Sequence, residues 1–110
     1  MADPLYRTVT YDDDGTMASI DLDPSIASFK AHVAFTLSSG GSVDYKMQYS
    51  LSPMTVSDAD ALWFDSLVIP ANTAASAVEV LTTPFSRVRA VIASITGTLT
   101  LQVRQGISVN

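Results

Sequence analysis

Apolar and polar residues alternate along most of this chain. In SVDYKMQYSL (residues 42–51), Val43, Tyr45, Met47, Tyr49 and Leu51 are separated by Asp44, Lys46, Gln48 and Ser50. In FKAHVAFTL (29–37), Phe29, Ala31, Val33, Phe35 and Leu37 share one face, with Lys30, His32 and Thr36 opposite. In TLTLQVRQ (98–105), Leu99, Leu101 and Val103 oppose Thr98, Thr100, Gln102 and Arg104. A period of two marks half-buried strands, and one wet face per strand predicts antiparallel sheet. Asp14-Gly15, Gly40-Gly41 and Thr96-Gly97 suit tight turns, and Pro53, Pro70 and Pro84 each remove a ladder donor and mark strand limits. The strands predicted are 5–10, 16–22, 29–37, 42–51, 63–69, 76–82, 85–95 and 98–105. In SDADALW (57–63), Ser57 with Asp60 three residues on predicts one short helical turn near 57–62. About eight strands without a long helix predict an all-β fold, an antiparallel two-sheet sandwich of jelly-roll type, with a barrel as the alternative.

The 110 residues make one domain, spanning 1–110, that buries roughly 65% of its unfolded surface. Residues 1–10, with Pro4, Leu5 and Tyr6 near a free end, are expected to extend as an arm. The 47% hydrophobic content sustains a core without staples, and the absence of cysteine excludes disulfides and thiolate metal sites. MADPLYRTVTY lacks the basic and apolar regions of a signal peptide, so secretion by that route is not expected. A net charge of −5 with six Lys and Arg argues against tracking phosphate backbones, so no nucleic-acid partner is expected. No apolar run is long enough for a membrane helix, and no membrane partner is expected.

Candidate chemistry is sparse. His32 is the only histidine and Glu79 the only glutamate, so a histidine-centred triad lacks an evident partner and a glutamate pair for glycoside hydrolysis is absent. Asp12, Asp13, Asp14, Asp21 and Asp23 lie across a predicted hairpin and offer hard oxygens for calcium, but the EF-hand pattern stops at Thr16 and the flanks read as strands. Gly40-Gly41 has neither the lysine nor the helix of a phosphate loop. No enzymatic activity, cofactor or metal is expected. Arg87, Arg89 and Arg104 fall on predicted neighbouring strands as a small basic patch, paired with aspartates. Tyr45 and Tyr49 share the core face of their strand, whereas alternation leaves one of Trp63 and Phe64 outward. In strand 85–95, inward Val88, Ala90 and Ile92 leave Val91, Ala93 and Ile95 outward as an apolar patch for a partner, unless a bulge flips the register partway.

Three stretches together, SVDYKMQYSL, LWFDSLVIPANTAASA and PFSRVRAVIASITGTLTLQVRQG, resemble a pattern found in small virion proteins of tailed bacteriophages. Its elements are a V-x-Y-x-x-Q-Y-S strand, a W-F-D strand running into a proline and a small-residue loop, and an ending P…R-x-R…T-G-x-[LV]-T-[LV]-x-V-x-Q-G. The likeness spans about residues 42–106. Length and architecture resemble the jelly-roll capsid decoration, or staple, proteins of epsilon15-like podoviruses. That resemblance implies a structural role on the outer capsid surface, made in the host cytoplasm. The implied partners are the major capsid protein and a second copy, as a homodimer. The expected contact residues are Pro4, Leu5 and Tyr6 in the arm and Val91, Ala93 and Ile95 in the patch. The alternatives are another virion component, in a head–tail or tail fitting, and a carbohydrate-binding β-sandwich module using Trp63 or Phe64.

Overall fold

The computed structural model describes residues 5–24, 29–53 and 55–105. Among the described residues nine strands run in order: β1 (Leu5–Tyr11), β2 (Gly15–Thr16), β3 (Ile20–Asp21), β4 (Ala31–Leu37), β5 (Ser42–Ser50), β6 (Trp63–Asp65), β7 (Ala77–Leu81), β8 (Arg87–Thr96) and β9 (Leu99–Gln105). Sheet A has the order β1-β9-β4-β7, and sheet B the order β2-β8-β5-β6 with β3 also on β8. With β2 and β3 counted as one interrupted edge strand, pairing is nested. The first strand lies on the last, β2/β3 on β8, β4 on β7 and β5 on β6. Nested antiparallel pairing across two sheets is the jelly roll. The chain is an all-β, antiparallel two-sheet sandwich.

The period of two fills the space between the sheets. Ala31, Val33 and Phe35 of β4 and Leu99, Leu101 and Val103 of β9 meet Val43, Tyr45 and Met47 of β5 and Val88, Ala90 and Ile92 of β8. The rings of Phe35 and Tyr45 meet at 4.9 Å, joining the two sheets. The Tyr45 hydroxyl donates to the Ala75 carbonyl at 2.8 Å, so this large polar side chain is buried with its donor satisfied. Gln105, fully buried, is satisfied reciprocally: its amide nitrogen donates to the Asp23 carbonyl at 2.6 Å and its oxygen accepts the Asp23 N–H at 2.9 Å.

Three expectations change and one holds. Predicted strand 16–22 is two short pieces. Thr16 pairs with Val91 and Ile20 with Val88, so residues 17, 18 and 19 oppose only 89 and 90, and the extra residue bows the chain outward at Ser19. Predicted strand 63–69 stops at Asp65, because the Ser66 hydroxyl accepts the N–H groups of Val68 and Ile69 and curls the backbone. The single turn expected near 57–62 is present: the N–H groups of Asp60 and Ala61 both donate to the Ser57 carbonyl, the Ser57 hydroxyl donates to the Asp60 carboxylate, and the chain does not go on as a helix. The arm expected over 1–10 meets a strand: residues 5–11 are β1, paired along their whole length with β9, and residues 1–4, Pro4 included, lie outside the described residues.

Candidate interaction surface

Among the described residues, nine large hydrophobic side chains are exposed, and seven of them lie on the side where β6 and β7 form the sheet edges: Leu51, Leu62, Phe64, Leu67, Val68, Val78 and Val80. Leu67 is 93% exposed at the bulge that the Ser66 hydroxyl creates. Leu51, Pro53, Leu62 and Phe64 line a shallow groove of about 370 Å³. Val78 and Val80 belong to the outer face of sheet A, in register with Ala34 and His32, and an exposed apolar groove such as the one beside β6 is a surface feature that marks partner sites.

A polar network on the outer face of sheet B holds this flank in place. Loop 51–62 crosses the end of the sheet, and the Leu62 N–H donates to the Ser52 hydroxyl at 3.0 Å. Arg87 points outward from β8 yet is buried, because the loop covers it. Its guanidinium donates to the Asp58 carboxylate at 2.8 Å and to the Pro53 carbonyl at 2.9 Å. Asp58 also accepts the Ser19 hydroxyl at 2.8 Å and the Ser19 N–H at 3.1 Å, so the outward bow of β2–β3 reaches the loop. Burial alone pushes the Asp58 carboxyl up, but the hydrogen bonds from Ser19 and Arg87 and the Arg87 charge outweigh it and hold the pKa below its ordinary value. The Trp63 indole N–H donates to the Asp58 carbonyl at 2.9 Å, and Arg89 lies 3.9 Å over the Trp63 ring. Two anchors thus fix the loop, one at Asp58 and one at Trp63.

The second wall of the flank is tied across the sheets. Ser66, buried just after β6, donates to Glu79 of β7. Glu79 therefore acts as a tie between sheet edges. Tyr49 stacks on Phe85 at 4.0 Å beneath the same side.

The expected contact residues do not form one surface. Tyr6 is exposed on the outer face of sheet A, and Val91, half-buried, is on the outer face of sheet B. Leu5 lies in β1. The apolar row of β8 is broken by a bulge. Tyr45 pairs with Ile92 but Asp44 with Ser94, so Ala93 is the extra residue, exposed, and Ile95 turns inward opposite Val43 and packs on the core. The basic patch dissolves too, because Arg87 and Arg89 are in sheet B and Arg104 is in sheet A. His32 is exposed on sheet A in register with Arg104. Among the described residues no three acidic or histidine side chains gather as a metal site, and Asp12–Asp14 stay apart from Asp21 and Asp23. Of the tryptophan–phenylalanine pair, Phe64 is the more exposed. Leu51, Leu62, Leu67 and Val68 were not anticipated as surface. The available signal was Ser-Leu-Ser-Pro at 50–53, a leucine between serines, and Leu-Val-Ile-Pro at 67–70, an apolar run, each closed by proline.

No family model matches the chain, and no curated protein matches it. A solved structure described as "Bacillus endospore appendages form a novel family of disulfide-linked pili" superposes with a TM-score of 0.34 at 14% identity, over 97% of this chain and 93% of that one.

Proposed function

We propose that this chain is a structural protein of tailed-phage virions, a capsid decoration protein that binds the outer shell, bridges major capsid subunits and stabilises the head. The observation that carries the reading is the rigidly held apolar flank along β6 and β7. Exposed Leu51 and Leu62 stand on a loop anchored by the Arg87–Asp58 ion pair, and exposed Leu67 and Val68 on the curl after Ser66, which bonds Glu79. A preformed adhesive edge limits the ordering cost of attachment. The likeness of residues 42–106 to phage virion proteins supplies the setting. In this reading the flank contacts the major capsid protein, which moves the contact away from Val91, Ala93 and Ile95.

The test mixes purified protein with shells that lack it, pellets them and heats them. Saturating attachment in an icosahedral ratio, with a raised disruption temperature, is expected. Leu62→Asp and Leu67→Asp should abolish attachment while leaving the isolated domain folded, since both side chains are exposed. Attachment should survive moderate salt, because apolar contact is not screened. Assembly only with tail or portal components, or attachment unaffected by both substitutions, overturns the reading.

A further inference from the structure

The charges along the outer face of sheet A are polarised. Tyr6, Arg104 and His32 stand in register across β1, β9 and β4, and exposed Lys30 continues the alternation just before β4. At the other end of the same strands the face carries Thr10, Thr100 and Thr36. Immediately past β1 come Asp12, Asp13 and Asp14, all exposed. The four strands of sheet A contain one acidic residue, Glu79, and it pairs with inward Val33 and bonds Ser66. Among the described residues, the strands of sheet A therefore put no acid on the outer face, in a chain of net charge −5.

Among the described residues, neither end makes an ion pair. Of the bases, Lys46 is paired with Asp65 at 3.1 Å and Arg87 with Asp58 at 2.8 Å, whereas Arg104 makes no ion pair among the described residues. Its guanidinium carbon lies 5.2 Å from the centre of the Tyr6 ring, which Gln102 pins through a 2.9 Å hydrogen bond to the hydroxyl. These side chains border a shallow depression of about 270 Å³, with Ala34 and Val78 on its far side. The Tyr6 hydroxyl has its pKa lowered by hydrogen bonds with Thr8 and Gln102 and then by the Arg104 charge, so the corner favours negative charge. At the acidic end, the hydrogen bond within the turn runs from the Asp14 N–H to the Asp13 carboxylate, at 2.9 Å. Asp12 follows Tyr6 by six residue steps along β1, about 20 Å at about 3.3 Å per step. That exceeds the Debye length of about 8 Å at physiological salt. The two charges cannot meet within a copy, but they can between copies.

We propose that the Asp12–Asp14 turn of one copy docks into the Lys30, His32 and Arg104 corner of the next, as a head-to-tail self-association. The occupant is a second copy because the same chain carries both complementary halves, the corner at one end of β1 and the turn that crosses to sheet B at the other. Such a contact is heterologous, so it repeats from copy to copy and either closes into a ring or runs on as a string. It leaves the groove of Leu51, Pro53, Leu62 and Phe64 uncovered.

Sedimentation velocity on the purified chain, without shells, tests this. The weight-average sedimentation coefficient should rise with concentration at about 0.01 M salt. The dissociation constant should increase at least about tenfold at about 0.15 M, where the Debye length falls from about 30 to about 8 Å. Lys30→Glu/Arg104→Glu, with an acidic corner and an acidic turn, should be monomeric at low salt. Asp12→Lys/Asp13→Lys, basic at both ends, should be monomeric as well. An equimolar mixture of the two should associate again, because each turn then meets an opposite corner. A wild-type chain that stays monomeric at low salt, association that ignores salt, or a mixture that fails to reassociate overturns the proposal. Capture of acidic peptides without self-association overturns it as well. The wild-type salt series stands even if a variant does not fold, and none of these results depends on capsid binding.

Discussion

Replacing Asp58 by alanine should destabilise the domain far more than its surface position suggests. The Arg87 side chain it faces is 4% exposed and already has one buried nitrogen, Nε, without a partner. Truncation removes the 2.8 Å ion pair and both Ser19 hydrogen bonds, leaving the Pro53 carbonyl as the remaining protein acceptor. Breaking a buried pair from one side costs about 3–5 kcal/mol. The Asp58 side chain is 37% exposed, so water can enter in its place, and the low end, about 3 kcal/mol, is expected. For a domain of this size that lowers Tm by about 10 °C. Asp60→Ala, two residues away and bonded to the Ser57 hydroxyl alone at 3.3 Å, should cost less than about 0.5 kcal/mol. Urea unfolding of both variants supplies the comparison. The pH dependence has a defined sign. A carboxyl whose pKa is lower folded than unfolded adds stability above the unfolded value, and that contribution disappears as pH falls through the folded one. Wild type should therefore lose stability through and below the ordinary carboxylate range, with a steeper slope than Asp58→Asn. Equal costs at 58 and 60, with matching pH profiles, would refute the account of a buried arginine held by this carboxylate.

The remaining predictions address the faces, the bulge and one turn. Leu101→Asp places an unpaired charge in the core and should prevent folding, whereas Lys46→Ala, whose partner Asp65 is exposed, should cost less than about 0.5 kcal/mol by urea unfolding. Ile95→Asp should destabilise more than Ala93→Asp, since Ile95 packs on the core and Ala93 is exposed at the bulge; the reverse order would place the register shift elsewhere. Gly97→Ala should lower Tm more than Gly40→Ala. Both glycines have positive φ, but a Cβ at Gly97 would lie 2.6 Å from the Ser38 hydroxyl oxygen that accepts the Thr98 N–H, and one at Gly40 meets open space.

The long alternating runs were legible because each residue's side of the sheet follows from its neighbours. β4, β5 and β9 match the predicted spans to within two residues at each end. The bulge at Ala93 was not legible as a position, because Val-Ile-Ala-Ser-Ile contains neither glycine nor proline; only the partner strand reveals that one residue is extra. Arg87 reads locally as a solvated residue, and its burial depends on Asp58, 29 positions away. Ser66 reads as an ordinary small residue in an apolar strand, yet its hydroxyl turns the chain and forces Leu67 and Val68 outward. The adhesive flank was missed for the same reason. Its side chains are conventional core types, and their exposure is decided by a few hydrogen bonds whose partners are distant or lie across a curl.

The nested pairing also sets an order of events during synthesis. β9 lies between β1 and β4 in sheet A, and β8 lies between β5 and the β2/β3 edge in sheet B. Until residues 87–105 leave the ribosome, the middle of each sheet is missing and the apolar faces of β4 and β5 have no lasting cover. Registers such as Tyr11 against Leu99 join parts of the chain made far apart in time, so contact order is high and folding should be slow. The nascent chain therefore holds open strand edges for most of its elongation, and crowded neighbouring copies can capture those edges before the last strand arrives. Its yield in a heavily producing cell is governed by how quickly residues 87–105 insert, more than by the stability of the finished sandwich.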